Sequence, residues 1–370
     1  MDKLKPVEHK IRGLVPRLFS PFFQKGRDNF QPLDGRSVKR VLFLRPDLIG
    51  DTVCSFPVFD NLRRIFPHFQ QAIFCSPKNM PVIQGDPRFD RVFMYRKRIW
   101  KDIAEVALIR GERFDVVFDM IADDSVTTLF LSQLCAPGAA RIGIGKKRFA
   151  PYYDAVFDYD SSTGEHIIDL NLKLLGALGI DTGNLDAYSP PYIDSPTRTK
   201  TDRYFESLSA APGGLKIGYN LSAGKPTRTW PLEKARKLLE SILETVPGST
   251  VILFTIPKER ARGDTLASRF NHSVVQVPPA LSILEASALI SRLDLFISAD
   301  TSLVHVARSW KVPVVGLYPH KMRNFNLWRP YGQDYGAVMS AKDDNVFDIT
   351  VNQVMAAFRE VMARKGAVTQ

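Results

Sequence analysis

The chain alternates short apolar runs with longer amphipathic stretches, and it does so in two successive series. In the first, Val41–Leu44, Ala72–Cys75, Arg91–Tyr95 and Val116–Phe118 have the compact hydrophobicity of strands buried on both faces of a parallel sheet. Amphipathic stretches up to Phe66, around 100–111 and 125–135, and a Leu-rich one at 165–178 predict helices between and after them. The second series has strands at Ile217–Leu221, Val251–Phe254, Val274–Val275, Leu295–Ile297 and Val314–Leu317. Its helices are predicted at 231–245, 257–269, 282–292, 301–309 and 346–364. Between the series, residues 181–214 contain Pro190, Pro191, Pro196, Pro212, Gly213 and Gly214, the composition of a linker, with room for a short helix at 201–209. Two such runs predict an α/β protein of two Rossmann-like, doubly wound domains facing one another across a cleft. The expected boundaries are an arm at 1–36, a first domain at 37–185, a linker at 186–214 and a second domain at 215–370.

A length of 370 residues suits two cores rather than one. No window approaches the roughly 18 unbroken apolar residues of a membrane span, and no signal-peptide core follows the basic start, so a soluble, cytoplasmic protein is expected. Cys54, Cys75 and Cys135 lack metal-ligand spacing and are expected to be small buried apolar residues in a reducing compartment. Charge changes the picture more than composition does. Residues 1–110 carry 21 Lys and Arg against 11 Asp and Glu, whereas the remaining 260 carry 29 against 28. An anionic partner therefore meets the N-terminal third. Within the arm, Ile11, Leu14, Val15, Leu18, Phe19, Phe22 and Phe23 recur at near-helical spacing among basic residues, while Pro16 and Pro21 interrupt any long helix. That arm either lies on a membrane surface or packs its aromatics onto the domain.

Ligands of open α/β sheets bind beyond the carboxyl ends of the strands, and four segments after strands carry polar residues. In Arg45–Asp51, Gly50 permits a tight turn and Asp51 stands where a helix starts, a position that a capping Asp also explains. In Asn220–Pro231, Lys225, Thr227 and Arg228 precede Trp230-Pro231 at a helix start. Hydroxyls, amides and an Arg there suit a diphosphate, the alternative being a solvated charged loop. In Ser298–His305, Asp300, Thr301 and Ser302 present oxygens and amides at a helix N-terminus, with His305 one turn further on. In Thr255–Glu259, Glu259 stands where a carboxylate binds ribose hydroxyls. The chain has no GxGxxG pattern, no Walker loop and no zinc cluster. Asp123-Asp124 lacks further ligands nearby, so it is read as a loop rather than a metal site.

These segments, in this order, resemble glycosyltransferase family 9, the lipopolysaccharide heptosyltransferases, over roughly residues 40–335. The residues that carry the resemblance are Ile49-Gly50-Asp51 with Phe56-Pro57, Arg228-Thr229-Trp230-Pro231, and Asp300-Thr301-Ser302-Leu303-Val304-His305. The resemblance implies a GT-B fold and inverting transfer from ADP-L-glycero-D-manno-heptose to the lipopolysaccharide inner core. It implies Asp51 as general base, with Gly50 beside it on the acceptor side. Arg228, Thr301, Ser302 and helix amides, with Lys225 and Thr227 in the preceding loop, would hold the diphosphate. Asp300 and His305 would contact the donor sugar, Glu259 the ribose and Leu281 the adenine. The run Arg96, Lys97, Arg98 and Lys101 resembles the family's basic loop for acceptor phosphates and Kdo carboxylates. That loop explains the charge surplus without nucleic acid.

The partners implied are a nucleotide-sugar donor, an anionic Kdo-lipid A or core oligosaccharide acceptor, and the cytosolic face of the inner membrane. No metal or other cofactor is called for. Ser302 replaces the family's usual Gly, Thr255-Ile256 replaces a common Gly-Gly, and the arm is extra to the shared part. Two other readings stay open: a GT-B transferase for another donor such as a UDP-hexose, and a non-catalytic binder of anionic glycolipid.

Overall fold

The computed structural model describes residues 21, 23–158, 164–208 and 214–365. The first sheet is built from β1 (Arg40–Arg45), β2 (Gln70–Cys75), β3 (Arg91–Met94), β4 (Val116–Asp119), β5 (Ala140–Ile144) and β6 (Ala155–Phe157). Its order is β3-β2-β1-β4-β5-β6, and its pairs are parallel, with Leu42 opposite both Ala72 and Val117. Helices α1 (Ile49–Val53), α2 (Phe56–Ile65), α3 (Ile99–Glu112), α4 (Val126–Cys135) and α5 (Ile167–Lys173) fall between and after these strands. Leu42, Leu44, Phe74 and Val117 are fully buried with Ile109 and Leu131 from the helices, so β1 and β4 read as continuous apolar runs.

The second sheet repeats this order with new strands. After α6 (Ser195–Ser207), it contains β7 (Lys216–Asn220), β8 (Thr250–Phe254), β9 (Val274–Gln276), β10 (Leu295–Ala299), β11 (Val314–Tyr318) and β12 (Tyr335–Met339). The order is β12-β11-β10-β7-β8-β9, again parallel. Its helices are α7 (Leu232–Thr245), α8 (Arg260–Ala267), α9 (Ile283–Ile290), α10 (Ser302–Ser309), α11 (Met322–Trp328) and α12 (Val351–Arg364). Each sheet reverses its winding once, between β1 and β4 in the first and between β7 and β10 in the second. This is the doubly wound arrangement expected for a GT-B protein.

Contacts divide the chain into two units. The first comprises the described residues through Leu48 with Pro57–Met80 and Asp86–Asp186; the second comprises Ile49–Phe56, Pro81–Gly85 and the described residues from Ala187 onward. The short helix α1 thus follows a strand of the first sheet in sequence but packs as part of the second unit.

Several local expectations change, each for a physical reason. The helix allowed for at 201–209 instead spans Ser195–Ser207 as α6. The Asp194 side chain accepts from the Thr197 amide, Pro196 sits in the first turn, and the Tyr204 hydroxyl donates to the Gln276 carbonyl at 2.9 Å. Ion pairs Lys200–Glu285 and Asp202–Arg292 tie the same helix to α9 and the turn after it. The last helix begins at 351 rather than 346, since Thr350 and Gln353 form a capping box. Strands β5, β6 and β12 went unpredicted: Arg141 and glycines break the apolar runs of β5 and β12, and β6 is only three residues long. The buried Arg141 guanidinium bonds to the Tyr152 carbonyl at 2.9 Å, which lets a charged residue sit inside a strand.

Of the arm, residues 1–20 and Phe22 lie outside the described residues, including Phe19 and the other early apolar positions. Phe23 does not project outward. Its ring meets Phe130 at 4.9 Å and Tyr152 at 5.4 Å edge-on, and the Gln24 amide donates to Gln133 Oε1 at 3.0 Å. The described end of the arm therefore packs on the first unit. Cys54, Cys75 and Cys135 are buried free thiols, and burial pushes the latter two up to about 12. No helix among the described residues is long and apolar enough to cross a membrane.

One buried ion pair stands at the end of β4. Lys146 Nζ lies 3.0 Å from Asp119 Oδ2 with neither side chain exposed, and it donates to the carbonyls of Ile121 and Asp123. The Tyr153 hydroxyl donates to the same carboxylate at 2.6 Å. Removing one charge strands the other in a dry site. Lys146→Met is expected to destabilise the first unit by about 3 kcal/mol, measured by urea unfolding; a loss under about 1 kcal/mol would mean that water reaches Asp119.

Candidate active site

The winding of the second sheet reverses between β7 and β10, so the loops leaving these neighbouring strands diverge, and their polar residues gather at the opening. Asn220, the last residue of β7, donates from Nδ2 to Ser298 Oγ at 3.0 Å and to Thr301 Oγ1 at 3.1 Å. Thr301 is the N-cap residue of α10, yet its side chain makes no capping bond to that helix. Its hydroxyl is engaged sideways instead. The first turn of α10 therefore lacks a side-chain cap, and uncapped helix starts are places where anions bind.

Arg228 stands beside this helix start. It closes the short 3-10 turn Pro226–Arg228, and its Nη1 donates to the Asp300 carbonyl at 2.9 Å while pairing with Asp300 Oδ2 at 3.0 Å. Burial pushes the Asp300 carboxyl above the usual carboxylate range, partly offset by Arg228 and then Lys225. Lys225 and Thr227 are exposed in the loop between Asn220 and α7. Gly224 there has φ 64°, a left-handed backbone that admits the tight turn before Lys225.

Gly50 and Asp51 join the same unit through α1. A Cβ added at Gly50 would lie 3.0 Å from His305 Cδ2 and 3.6 Å from the Ser302 Cα, so a larger residue would require the ring to give way by a few tenths of an ångström. Asp51 is the third residue of α1, past the capping position, and its carbonyl accepts from the Ser55 hydroxyl at 2.9 Å. His305 is buried between this helix and the Trp328 ring, 5.8 Å between centroids. Burial lowers the His305 pKa to about 4, although Asp51 pulls it up; Arg308 adds to the lowering. The imidazole is neutral at pH 7.

The other expected residues are more scattered. Glu259 Oε2 accepts from the Ser222 hydroxyl at 2.9 Å and lies 3.9 Å from Arg262. Glu259 and Lys225 line a pocket of about 630 Å³ with Trp230, Lys258, Arg262 and Phe347; Arg228, Asp300 and the start of α10 are not among its walls. Leu281 is half-buried in the loop after β9, next to Ala280 with φ 57°. The basic run belongs to the first unit, following its edge strand β3. There, Asp102 accepts from the Arg96 and Arg98 amides at 2.7 Å each, folding the run into a turn, and Arg96 pairs with Glu105 at 3.2 Å. Lys97, Arg98 and Lys101 stay exposed. Asp124 closes a loop by accepting from the Arg148 and Phe149 amides, and among the described residues no group of His, Cys, Asp and Glu could hold a metal ion.

Sequence reasoning overlooked Asn220, Ser222 and Ser298 as participants, along with Trp328. An Asn ending one strand and a Ser near the end of another carry no visible relation until those strands are known to be neighbours.

Two doubly wound parallel sheets, each reversing its winding once, are the arrangement of the GT-B fold. Residues 106–351 match the model of glycosyltransferase family 9 (heptosyltransferase), and the chain belongs to that family. Lipopolysaccharide heptosyltransferase 3 of Escherichia coli K12 is 23% identical over 310 residues, spanning 77% of this chain and 83% of that protein. Lipopolysaccharide heptosyltransferase 1 of Pseudomonas aeruginosa is 23% identical over 294 residues, 75% and 78% of the two chains. Among solved structures, a family 9 glycosyl transferase from Veillonella parvula matches with a TM-score of 0.74 at 19% identity, over 91% of this chain and 100% of that one. The E. coli heptosyltransferase WaaC with ADP matches at 0.68 and 17% identity, over 89% and 99%. The structural matches attest the shared fold.

His305 yields a stability prediction. Its folded pKa lies below the ordinary value of 6.5, so the unfolded chain takes up the proton first. Stability is therefore unaffected above about pH 6.5 and falls by roughly 3 kcal/mol as pH drops toward about 4. His305→Gln should flatten that part of the profile; an unchanged slope in urea unfolding between pH 6.5 and 4 would place the titration elsewhere.

Proposed function

We propose that the protein is an inverting glycosyltransferase that carries heptose from ADP-L-glycero-D-manno-heptose to the inner core of lipopolysaccharide. The curated relatives are named as lipopolysaccharide heptosyltransferases, and one structural relative was solved with ADP. The observation that carries the reading is the α10 start. Its uncapped first turn lies beside the Arg228–Asp300 pair, and Gly50 of α1 touches the same helix one turn on, at His305.

In this reading the Asp51 carboxylate takes the proton of the acceptor hydroxyl as its oxygen bonds to the anomeric carbon. The bond from that carbon to the β-phosphate oxygen breaks on the opposite face, and ADP leaves with the electron pair. A single displacement inverts the anomeric centre. Positive charge grows on the sugar while negative charge grows on the diphosphate, so donors fixed at the leaving group lower the barrier. Arg228 and the α10 amides supply them, with Thr301, Ser302, Lys225 and Thr227 around the phosphates, and the reading calls for no metal. Asp300 contacts the heptose, Glu259 the ribose and Leu281 the adenine. His305, neutral and buried, holds α1 against α10 and thereby positions Asp51. Arg96, Lys97, Arg98 and Lys101 meet the acceptor's phosphates and carboxylates, and the lipid-anchored acceptor draws the enzyme to the cytosolic face of the inner membrane as a peripheral protein.

A second reading concerns the donor. Ser222 Oγ bridges the Ile256 amide, at 3.0 Å, and Glu259, so the replacement of Gly-Gly by Thr255-Ile256 comes with a carboxylate already held in place. A transferase with a different nucleotide would accommodate that change. Thermal shifts with ADP, UDP and GDP separate the two, with the largest shift expected from ADP.

Asp51→Asn is expected to leave ADP affinity unchanged and to lower turnover by about 100-fold or more, as loss of a general base does. Wild-type turnover would remove Asp51 from the chemistry. Arg228→Ala is expected to weaken ADP binding by about tenfold and to slow transfer further, because its charge matters most as the diphosphate departs. Calorimetry showing unaltered ADP affinity alongside normal turnover would assign the diphosphate to other groups.

A further inference from the structure

Helix α3 is apolar on both faces although it lies at the surface. Ile109 is fully buried in the first core and Val106 packs against it, which accounts for one face. The opposite face carries Trp100, Ile103, Ala104, Ala107 and Leu108, all exposed and spaced by three and four residues into one stripe. Trp100 is 85% exposed, Leu108 63% and Ile103 55%. Among the described residues of the first unit, no packing covers these side chains.

The exposed charged side chains of the helix and its flanking turns are basic. Lys97, Arg98, Lys101, Arg110 and Arg113 are exposed along α3 and the turns at its ends. The acids of the same helix are spent locally. Asp102 accepts from the Arg96 and Arg98 amides, Glu105 accepts from the Met94 amide at 2.8 Å and pairs with Arg96, and Glu112 pairs with Arg91 at 3.6 Å. A second copy packed antiparallel on this face would set the Lys101 of each chain near the Arg110 of the other, cation against cation. An anionic surface that is apolar beneath its charges complements both features. Trp is suited to such a boundary, with an apolar ring and one polar N–H.

We propose that the outward face of α3 rests in the headgroup region of an anionic lipid bilayer, with Trp100, Ile103 and Leu108 inserted and Lys97, Arg98, Lys101 and Arg110 over the lipid phosphates. This deepens the peripheral attachment proposed above and rests on that reading for which membrane is met. It moves the contact from the N-terminal arm to a helix of the first domain.

The test uses the full chain with phosphatidylcholine vesicles, with and without phosphatidylglycerol. Sedimentation should show binding to the anionic vesicles that weakens with salt. The triple variant W100A/I103A/L108A should bind them roughly tenfold or more weakly, with an unchanged circular dichroism spectrum. Brominated acyl chains should quench tryptophan fluorescence of the wild type, and Trp100→Phe should remove most of that quenching while keeping the attachment. Full binding by the triple variant, quenching that survives Trp100→Phe, or absence of wild-type binding overturns the proposal. So does a dimer in solution that the triple variant converts to monomer, which would make this face a self-association surface. Vesicle binding is read without donor or acceptor, so it can fail while sugar transfer stands, and transfer can fail while binding stands.

Discussion

Asn220 joins the carboxyl ends of β7 and β10, and the geometry at the start of α10 depends on that join. Parallel neighbours cannot be linked by a tight turn, so each strand end opens into a loop and a helix start. Where the winding reverses, the two loops part and leave a gap that backbone bonds do not close. One amide side chain spans it, donating to Ser298 and Thr301. With its hydroxyl drawn sideways, Thr301 does not cap α10. The uncapped start of α10 and Arg228 then lie together beside the buried Asp300, the groups proposed to meet the departing diphosphate.

The same helix is fixed one turn later by a contact of another kind. Gly50 lies so close to His305 that a methyl group there would press on the ring. Burial keeps that ring neutral. A protonated imidazole would be attracted to Asp51 but would have to give up its hydration in a site closed by Trp328, and the desolvation cost dominates. The close approach of α1 and the neutrality of His305 therefore share one cause, the exclusion of water between two helices. Charge in the first unit is managed by a different rule. Where it is buried, as at Lys146 and Asp119, each ion is paired and hydrogen-bonded; where it is exposed along α3, it is unbalanced toward cations beside an apolar stripe.

Most central strands were legible because burial on both faces leaves an unbroken apolar run, as in Val41–Leu44 and Leu295–Ile297. Strands with a buried charge or glycines were not, because the partners that make Arg141 acceptable, such as the Tyr152 carbonyl, are brought to it by the fold. The helix α6 hid among prolines for a related reason: Pro196 ends a helix in its interior but favours one in its first turn, and composition alone does not distinguish the two. Of the site, Gly50, Asp51, Arg228, Asp300 and His305 stood out because each follows a strand. Their support did not, since Asn220 and Ser298 lie 78 residues apart.

The amino-acid sequence by itself determined the two β/α series, the ordered motifs that mark the family, and the concentration of positive charge in the first 110 residues. The first and last are properties of periodicity and composition and the motifs are a matter of resemblance; none of the three needs knowledge of neighbours. Only the tertiary structure decided that Asn220 occupies the Thr301 hydroxyl, that α1 packs with the second unit, and that Phe23 docks on Phe130 and Tyr152. It also decided which face of α3 is covered. Ile109 and Leu108 are adjacent and equally apolar in sequence, yet one is in the core and the other is in water. The difference comes from the helix's orientation on the sheet, which local periodicity cannot report when both faces are apolar.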